Sequence, residues 1–351
     1  MKILCLNSSP RTGVQSKTEL MLNPLVEGMQ EAGAEVEVVN LHKKNIKNCI
    51  GCFTCWTKTP GKCIHKDDMT KELFSKWLKS DIVVYATPLY HYTVNAEMKA
   101  FIERTLPVLE PFFEQRDDWT THPLRHTPPD AVVLSVAGFP EMSVFDQLSS
   151  YVNFLFGRND RLLAEIYRPA AEFLNGIEDK KQDVFEAMNL AGRELVESKR
   201  ISNETLNRIQ QPVIDFYTLS QVGNSFWKTC IAEGVTPKEF GEKNMVPRPD
   251  SLENFMIILP FGLNAEAVGT RKVILQFNFL DDVTGSCWFM IQKDKISAEE
   301  GRKDKPDITI ETPFELWMDI MTGKTDGQQM FMDQKYKVDG DLPLMIQLFQ
   351  K

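Results

Sequence analysis

The sequence predicts a two-part α/β protein: a doubly wound, parallel five-stranded sheet in the first half and a smaller α+β domain at the C-terminus. Three observations carry this. Short apolar runs alternate with amphipathic segments over about 170 residues, the pattern of a parallel sheet with helices on both faces. Four of the seven cysteines crowd between Cys49 and Cys63, just after the second of those runs. About the last hundred residues abandon the strand–helix rhythm for strand alternation followed by helices.

The apolar runs are Ile3–Leu6, Val36–Val39, Ile82–Ala86, Val132–Val136 and Leu163–Tyr167, each bounded by turn residues. Five such strands suit the flavodoxin-type order, which binds a flavin where the strand order switches. Pro24 falls inside the first amphipathic segment, Thr18–Ala32. An interior proline costs roughly 3 kcal/mol, so a kink or a broken first helix is expected. The segment Leu106–Pro129 is long and carries Phe112, Phe113, Trp119, His122 and His126. Such loops are usually lids or interfaces, and the aromatics favour that over a floppy insertion.

After Ile177 the pattern turns helical and polar, at Asp179–Ser198, Glu204–Gln210 and Tyr217–Ala232, and residues 243–250 read as a linker with two prolines. The expected division is 1–175, a helical connector 176–250, and 251–351. In the last part Val273, Leu275, Phe277 and Phe279 alternate with Ile274, Gln276, Asn278 and Leu280, a half-buried strand. Strand signals recur at Cys287–Ile291 and Asp307–Glu311. Thr312-Pro313-Phe314-Glu315 then reads as a capping box opening a helix that Gly323 stops, and Asp341–Phe349 reads as a second helix.

Composition bounds the function. The chain has 351 residues, a 42% apolar and 25% charged make-up and a net charge of −9. The acidic balance argues against a nucleic-acid partner and against docking on an anionic membrane. No run approaches eighteen apolar residues, the chain begins directly on a strand-like segment, and the cysteines do not resemble a secreted disulfide framework. A reducing cytoplasm is the default expectation.

The cysteines Cys49, Cys52, Cys55 and Cys63 are spaced C-x2-C-x2-C-x7-C. Thiolates at such spacings hold iron–sulfur clusters or tetrahedral zinc, and the triplet favours a 4Fe-4S cluster over the paired spacing of zinc. Small buried thiols without a metal are the alternative. The loop after the first strand, Asn7 to Thr18, offers hydroxyls, a cation and free backbone N–H groups at a helix N-terminus, suited to a terminal phosphate. A plain capping turn reads equally well there. The loop is neither a P-loop nor a dinucleotide fingerprint, which disfavours ATP and dinucleotides. After the third strand, Pro88, Leu89 and Tyr90 supply an apolar slot, and after the fourth, Ala137 and Gly138 allow close backbone approach. His91 reads more simply as a solvated loop residue than as an acid.

On Ser8-Ser9-Pro10-Arg11…Ser16-Lys17-Thr18, the cysteine motif with Asp67-Asp68-Met69, and Thr87-Pro88-Leu89-Tyr90…Met98-Lys99-Ala100-Phe101-Ile102-Glu103-Arg104, residues 1 to about 200 resemble the NADPH-dependent FMN reductase and iron–sulfur flavoprotein family. The resemblance implies FMN phosphate contacts from Ser9, Arg11, Gln15, Ser16 and Thr18. It implies ring contacts from Pro88, Leu89, Tyr90, Ala137 and Gly138, and a 4Fe-4S centre on Cys49, Cys52, Cys55 and Cys63. It further implies NAD(P)H as co-substrate, hydride passing through flavin to an organic or quinone-like acceptor, and a homodimer with Leu106–Pro129 as cover. No side chain is named as acid or base.

Residues 251–351 resemble a sterol carrier protein-type domain, on the strand block, the Ile308–Gly323 unit with Lys324, and the ending Lys337-Val338-Asp339-Gly340-Asp341…Leu348. That implies an apolar tunnel for a lipid, with Phe314 and Met345 expected on its wall, and six of fifteen methionines after residue 289 suit an adaptable cavity. An ordinary α+β core or a dimerisation module is the alternative. Two rivals to the reductase stand beside it: a non-enzymatic flavin and iron–sulfur electron carrier, and a lipid-binding protein with a flavodoxin scaffold.

Overall fold

A computed structural model describes residues 1–116, 119–280, 285–293 and 295–350. Two compact units form, Met1–Ile214 and Asp215–Lys351.

The first unit runs β1 (Lys2–Asn7), α1 (Lys17–Glu31), β2 (Glu35–Asn40), α2 (Phe74–Lys79), β3 (Ile82–Pro88), α3 (Ala96–Glu103), β4 (Glu114–Arg116), β5 (Trp119–Thr121), β6 (Asp130–Val136), α4 (Asp146–Leu155), β7 (Leu162–Arg168), α5 (Glu178–Ser198) and α6 (Asn203–Gln210). The main sheet has the order β2-β1-β3-β6-β7, parallel throughout. This is the expected flavodoxin-like winding, with β4 and β5 as a separate hairpin. Side chains alternate between faces. Ile3, Cys5, Val84 and Leu134 pack with α1 and α5. Leu4, Leu6, Val83 and Val133 pack with Trp77 of α2, Met98 and Phe101 of α3, and Leu148 of α4.

Of the kink or break expected at Pro24, the break does not occur: α1 is continuous through it and Pro24 is buried. Tertiary packing outweighs the proline. α1 lies so close to α5 that a Cβ at Gly28 would stand 1.9 Å from the Asn189 carbonyl oxygen, and one at Gly192 would stand 2.2 Å from that of Leu25. Met21, Leu22, Leu25 and Met29 are buried along this contact. The residues expected as a connector divide between the units, with α5 and α6 packed into the first core.

The second unit runs α7 (Phe216–Glu233), α8 (Pro237–Glu242), α9 (Leu252–Ile258), β8 (Val273–Phe279), β9 (Gly285–Gln292), β10 (Lys295–Glu300), β11 (Ile308–Thr312), α10 (Phe314–Met321), α11 (Gly327–Met332), β12 (Lys337–Gly340) and α12 (Leu342–Phe349). Its sheet has the order β10-β9-β8-β11-β12, antiparallel except for β8 with β11. Residues 243–250 are fastened rather than slack. Arg248 donates to Asp319 at 2.7 Å and to Glu315 at 2.6 Å.

Two local expectations are corrected. The capping box at Thr312–Glu315 does not form. Pro313 takes the cap position with no side-chain bond, while the Thr312 hydroxyl donates to the Pro313 carbonyl. The polar face of β8 is not solvated, because Gln276 and Asn278 are buried. The Gln276 amide donates to the carbonyls of Cys287 and Gly301 and accepts from the Lys303 N–H, so the 301–303 turn covers it.

Candidate functional site

Four loops at the C-terminal edge of the parallel sheet build one pocket. It is lined by Ser9, Arg11, Lys17 and Thr18 from the β1–α1 loop, Pro88–Tyr90 after β3, Val136–Gly138 after β6, and Ala171 with Glu172 after β7. Buried polar ties hold the loops to each other. The Asn95 side chain caps α3 by accepting from Met98 N, and donates to the Ser8 carbonyl at 2.6 Å. The Asn95 backbone donates to the Thr87 hydroxyl. Leu89 N–H donates to the Val136 carbonyl at 3.0 Å, and Ala171 N–H to that of Ala137 at 2.9 Å. His91 and Tyr92 take the left-handed conformation, at φ 48° and 62°, in a tight turn closed by Tyr90 and Thr93. Two consecutive non-glycine residues there are strained, and strain of this kind gathers at functional sites.

Of the residues assigned to phosphate, Ser9, Arg11 and Thr18 line the pocket. Ser16 stands behind them. Its buried hydroxyl accepts from Glu19 N as the α1 cap and donates to the Ser9 hydroxyl at 2.9 Å. Gln15 is exposed and outside the lining. All five residues assigned to the ring, Pro88, Leu89, Tyr90, Ala137 and Gly138, line it, and a Cβ at Gly138 would meet nothing within 4 Å. Sequence reasoning did not assign Lys17 or Glu172 to the pocket. The Glu172 carboxylate lies 3.0 Å from Arg11 and 3.6 Å from Lys17, spanning two cations at the N-terminus of α1. A carboxylate drawn to that place shows that the site favours an anion. Hydroxyls, two cations and an open apolar slot fit FMN.

The four cysteines converge in a second cavity, lined by Cys49, Cys52, Cys55, Cys63, Arg104 and Pro107 among others. The loop has no regular secondary structure. Gly51 and Phe53 turn it at φ 63° and 51°, and Gly61 N–H closes it on the Cys55 carbonyl at 2.9 Å. Burial pushes the Cys55 thiol up, and the neighbouring Cys63, Cys52 and Cys49 add to this. Hydrogen bonds from Thr54 push the exposed Cys52 thiol down, towards the thiolate. Among the described residues no three His, Cys, Asp or Glu side chains stand close enough to share one metal ion. Four thiols lining one cavity fit a 4Fe-4S cluster, whose ligands bind different irons.

Asp67 and Arg104, both fully buried, anchor the loop's exit. The Asp67 carboxylate accepts from Arg104 at 2.7 and 3.1 Å, from Lys47 N and from Thr70 N, and Arg104 also donates to the Lys47 carbonyl. Burial alone would push the Asp67 carboxyl up. The Arg104, Lys47 and Thr70 donors outweigh it and hold the group well below the usual carboxylate range. The β4–β5 segment packs on the cysteine loop, with the His122 ring 4.7 Å from Trp56 and 5.2 Å from Phe113. Residues 117 and 118 of the expected cover lie outside the described residues, and no described residue of Leu106–Pro129 lines the flavin pocket.

In the second unit an apolar cavity of about 680 Å³ is lined by Leu259, Trp317, Met321, Phe331, Met345 and Phe349 among others. Met345 is on its wall as expected. Phe314 is not: it is fully buried in the sheet-facing core, against Phe279 at 5.0 Å. Its ring partners include Phe279 of β8 and Phe255 of α9.

Comparison with known proteins agrees with both resemblances. Residues 1–149 match the NADPH-dependent FMN reductase family, and residues 265–350 match the SCP-2 sterol transfer family. An iron-sulfur flavoprotein of Archaeoglobus fulgidus is 42% identical over 108 residues, 30% of this chain and 46% of that protein. One from Methanocaldococcus jannaschii is 33% identical over 109 residues, 31% of this chain and 52% of its own length. The chain spans about half the length of the curated relatives it matches. Among solved structures, a NAD(P)H:quinone oxidoreductase from Methanothermobacter marburgensis aligns with 56% of this chain and 96% of its own, at TM-score 0.43 and 18% identity. An FMN-dependent NADH-azoreductase from Bacillus anthracis, solved with FMN, aligns with 56% of this chain and 99% of its own, at TM-score 0.43 and 13% identity. No helix among the described residues is long and apolar enough to cross a membrane.

Proposed function

We propose that the protein is an NAD(P)H-dependent oxidoreductase that binds FMN at the sheet edge and a 4Fe-4S cluster on Cys49, Cys52, Cys55 and Cys63, and that its C-terminal unit holds an apolar ligand. The observation that carries this is the single pocket in which Ser9, Arg11, Lys17 and Thr18 meet Pro88, Leu89, Tyr90, Ala137 and Gly138. Bound FMN would supply hydride and single-electron transfer, and a cluster single-electron transfer, to an organic or quinone-like acceptor.

The chain's own residues bind and orient. Arg11 and Lys17 neutralise the phosphate, the Ser9 and Thr18 hydroxyls donate to it, and the start of α1 adds its dipole. Ser16 fixes the Ser9 hydroxyl. Pro88 and Leu89 form the apolar slot, held to β6 by the Leu89–Val136 bond, and Asn95 sets its distance from the phosphate loop. Tyr90, partly exposed, borders the open side where a nicotinamide or acceptor would enter.

The test is a visible spectrum and iron count of anaerobically purified protein, followed by NAD(P)H addition. Flavin bands, about four irons per chain and rapid bleaching are expected. Arg11→Ala with Thr18→Ala should lose FMN but keep iron, and Cys52→Ser should lose iron but keep FMN. Extraction of FAD, or full flavin in the double variant, would refute the flavin assignment. Flavin and iron without bleaching would favour the electron-carrier reading.

A further inference from the structure

We propose that the cavity beneath the β4–β5 hairpin is a second small-molecule site, for a flat aromatic compound bearing a carboxylate or similar anionic oxygen. The cavity measures about 330 Å³, within the range of small-molecule pockets. Among the described residues it shares none with the flavin pocket, and it opens at the opposite edge of the sheet. Pro128 and Pro129 lead into β6 there, and Arg161 into β7. It borders the cysteine cavity, with Glu103 and Leu106 common to both linings.

Its walls suit a flat ring. Trp77, Tyr85, Trp119, Phe154 and Phe156 surround it. The Arg158 guanidinium lies 4.0 Å from the Phe154 ring centre and 5.3 Å from that of Trp119, fixing both. An ordinary core closes over such a space, since interiors pack to near-crystal density. A ligand ring entering between aromatic faces recovers that lost contact.

Its polar feature selects the ligand's charge. Arg161 lines the cavity, and its Nε is buried with no hydrogen-bond partner among the described residues. Burial pushes this guanidinium's pKa down, with Tyr85 and Asp130 opposing and Arg116 reinforcing the effect. Asp130 is already held by Lys199 at 2.9 Å and does not satisfy Arg161. An unused donor on a partly desolvated cation is costly, and an anionic oxygen would supply both the missing bond and the counter-charge. A neutral ring would use the walls alone.

The test titrates the full chain, as purified, with 2-naphthoate and with neutral 2-naphthalenemethanol by calorimetry. Naphthoate should bind, and Arg161→Gln should weaken it by about tenfold or more while changing naphthalenemethanol by less than about twofold. Leu124→Trp, at the exposed rim, should weaken both without changing flavin content. Met321→Trp, in the C-terminal cavity, should change neither. No naphthoate binding by the parent at millimolar concentration would overturn the proposal. So would binding that survives both Arg161→Gln and Leu124→Trp, which would place the ligand in another cavity, and neither result depends on whether FMN is the flavin.

Discussion

Replacing Asp67 by Asn should destabilise the first unit by about 3–5 kcal/mol, the cost of stranding a buried charge. The carboxylate is fully buried and takes both Arg104 donors, Lys47 N and Thr70 N. The amide cannot accept this fork and leaves Arg104 charged, buried and half satisfied. The sign with pH follows from the depressed folded pKa. Such a carboxyl contributes stability that is present above its unfolded value of about 3.9 and is lost as pH falls through the folded one. The gap between wild type and variant should therefore be full at pH 7 and narrow below about pH 4. The assay is urea unfolding read by hydrogen exchange in peptides from residues 1–214, so that the second unit does not enter the transition. Asp67→Leu with Arg104→Met should recover much of the loss, because an apolar pair leaves no charge unpaired. A loss below about 1 kcal/mol at pH 7, or a gap that does not change down to pH 3, would refute the reasoning.

Gly192→Ala should cost at least about 1–3 kcal/mol, since its Cβ would meet backbone atoms of α1 that cannot move aside; unchanged urea unfolding would contradict the α1–α5 contact. Glu172→Gln should tighten FMN by about threefold to tenfold, measured by flavin fluorescence quenching, because the phosphate no longer competes with a carboxylate for Arg11 and Lys17. Met345→Gln should weaken uptake of a fluorescent fatty acid and lower the melting temperature less than Phe314→Gln does, since Met345 borders the cavity and Phe314 is fully buried; the reverse pattern would mean that the cavity wall is misassigned.

The strands were legible because central parallel strands are buried on both faces and read as unbroken apolar runs, as at Ile82–Ala86. What failed depended on residues distant in sequence. Nothing near Pro24 announces that Gly28 will meet Asn189, and nothing in β8 announces that the 301–303 turn will cover Gln276. At the candidate site the rule that ligands gather beyond the strand ends found three of the four loops. The fourth, with Glu172 just beyond β7, follows from the same rule and needed only to be carried one strand further.

The cysteine loop shows how little of a site's order has to come from its own motif. Between Cys49 and Cys63 there is no helix or strand, and spacing alone leaves the thiols free to spread. Their convergence is imposed from outside. The loop's exit is clamped by Asp67 against Arg104 at the end of α3, and its middle is clamped by Trp56, which donates to the Leu106 carbonyl and packs at a tilt on His122. Both clamps lie in the first unit's core or on its rim, so the thiols are brought together by folding of the sheet and its helices. A small zinc module is the opposite case, where the metal supplies the folding energy and its removal unfolds the chain. Here the loop is tied to the core by Asp67 and Arg104, which hold its exit and are not among the four proposed ligands.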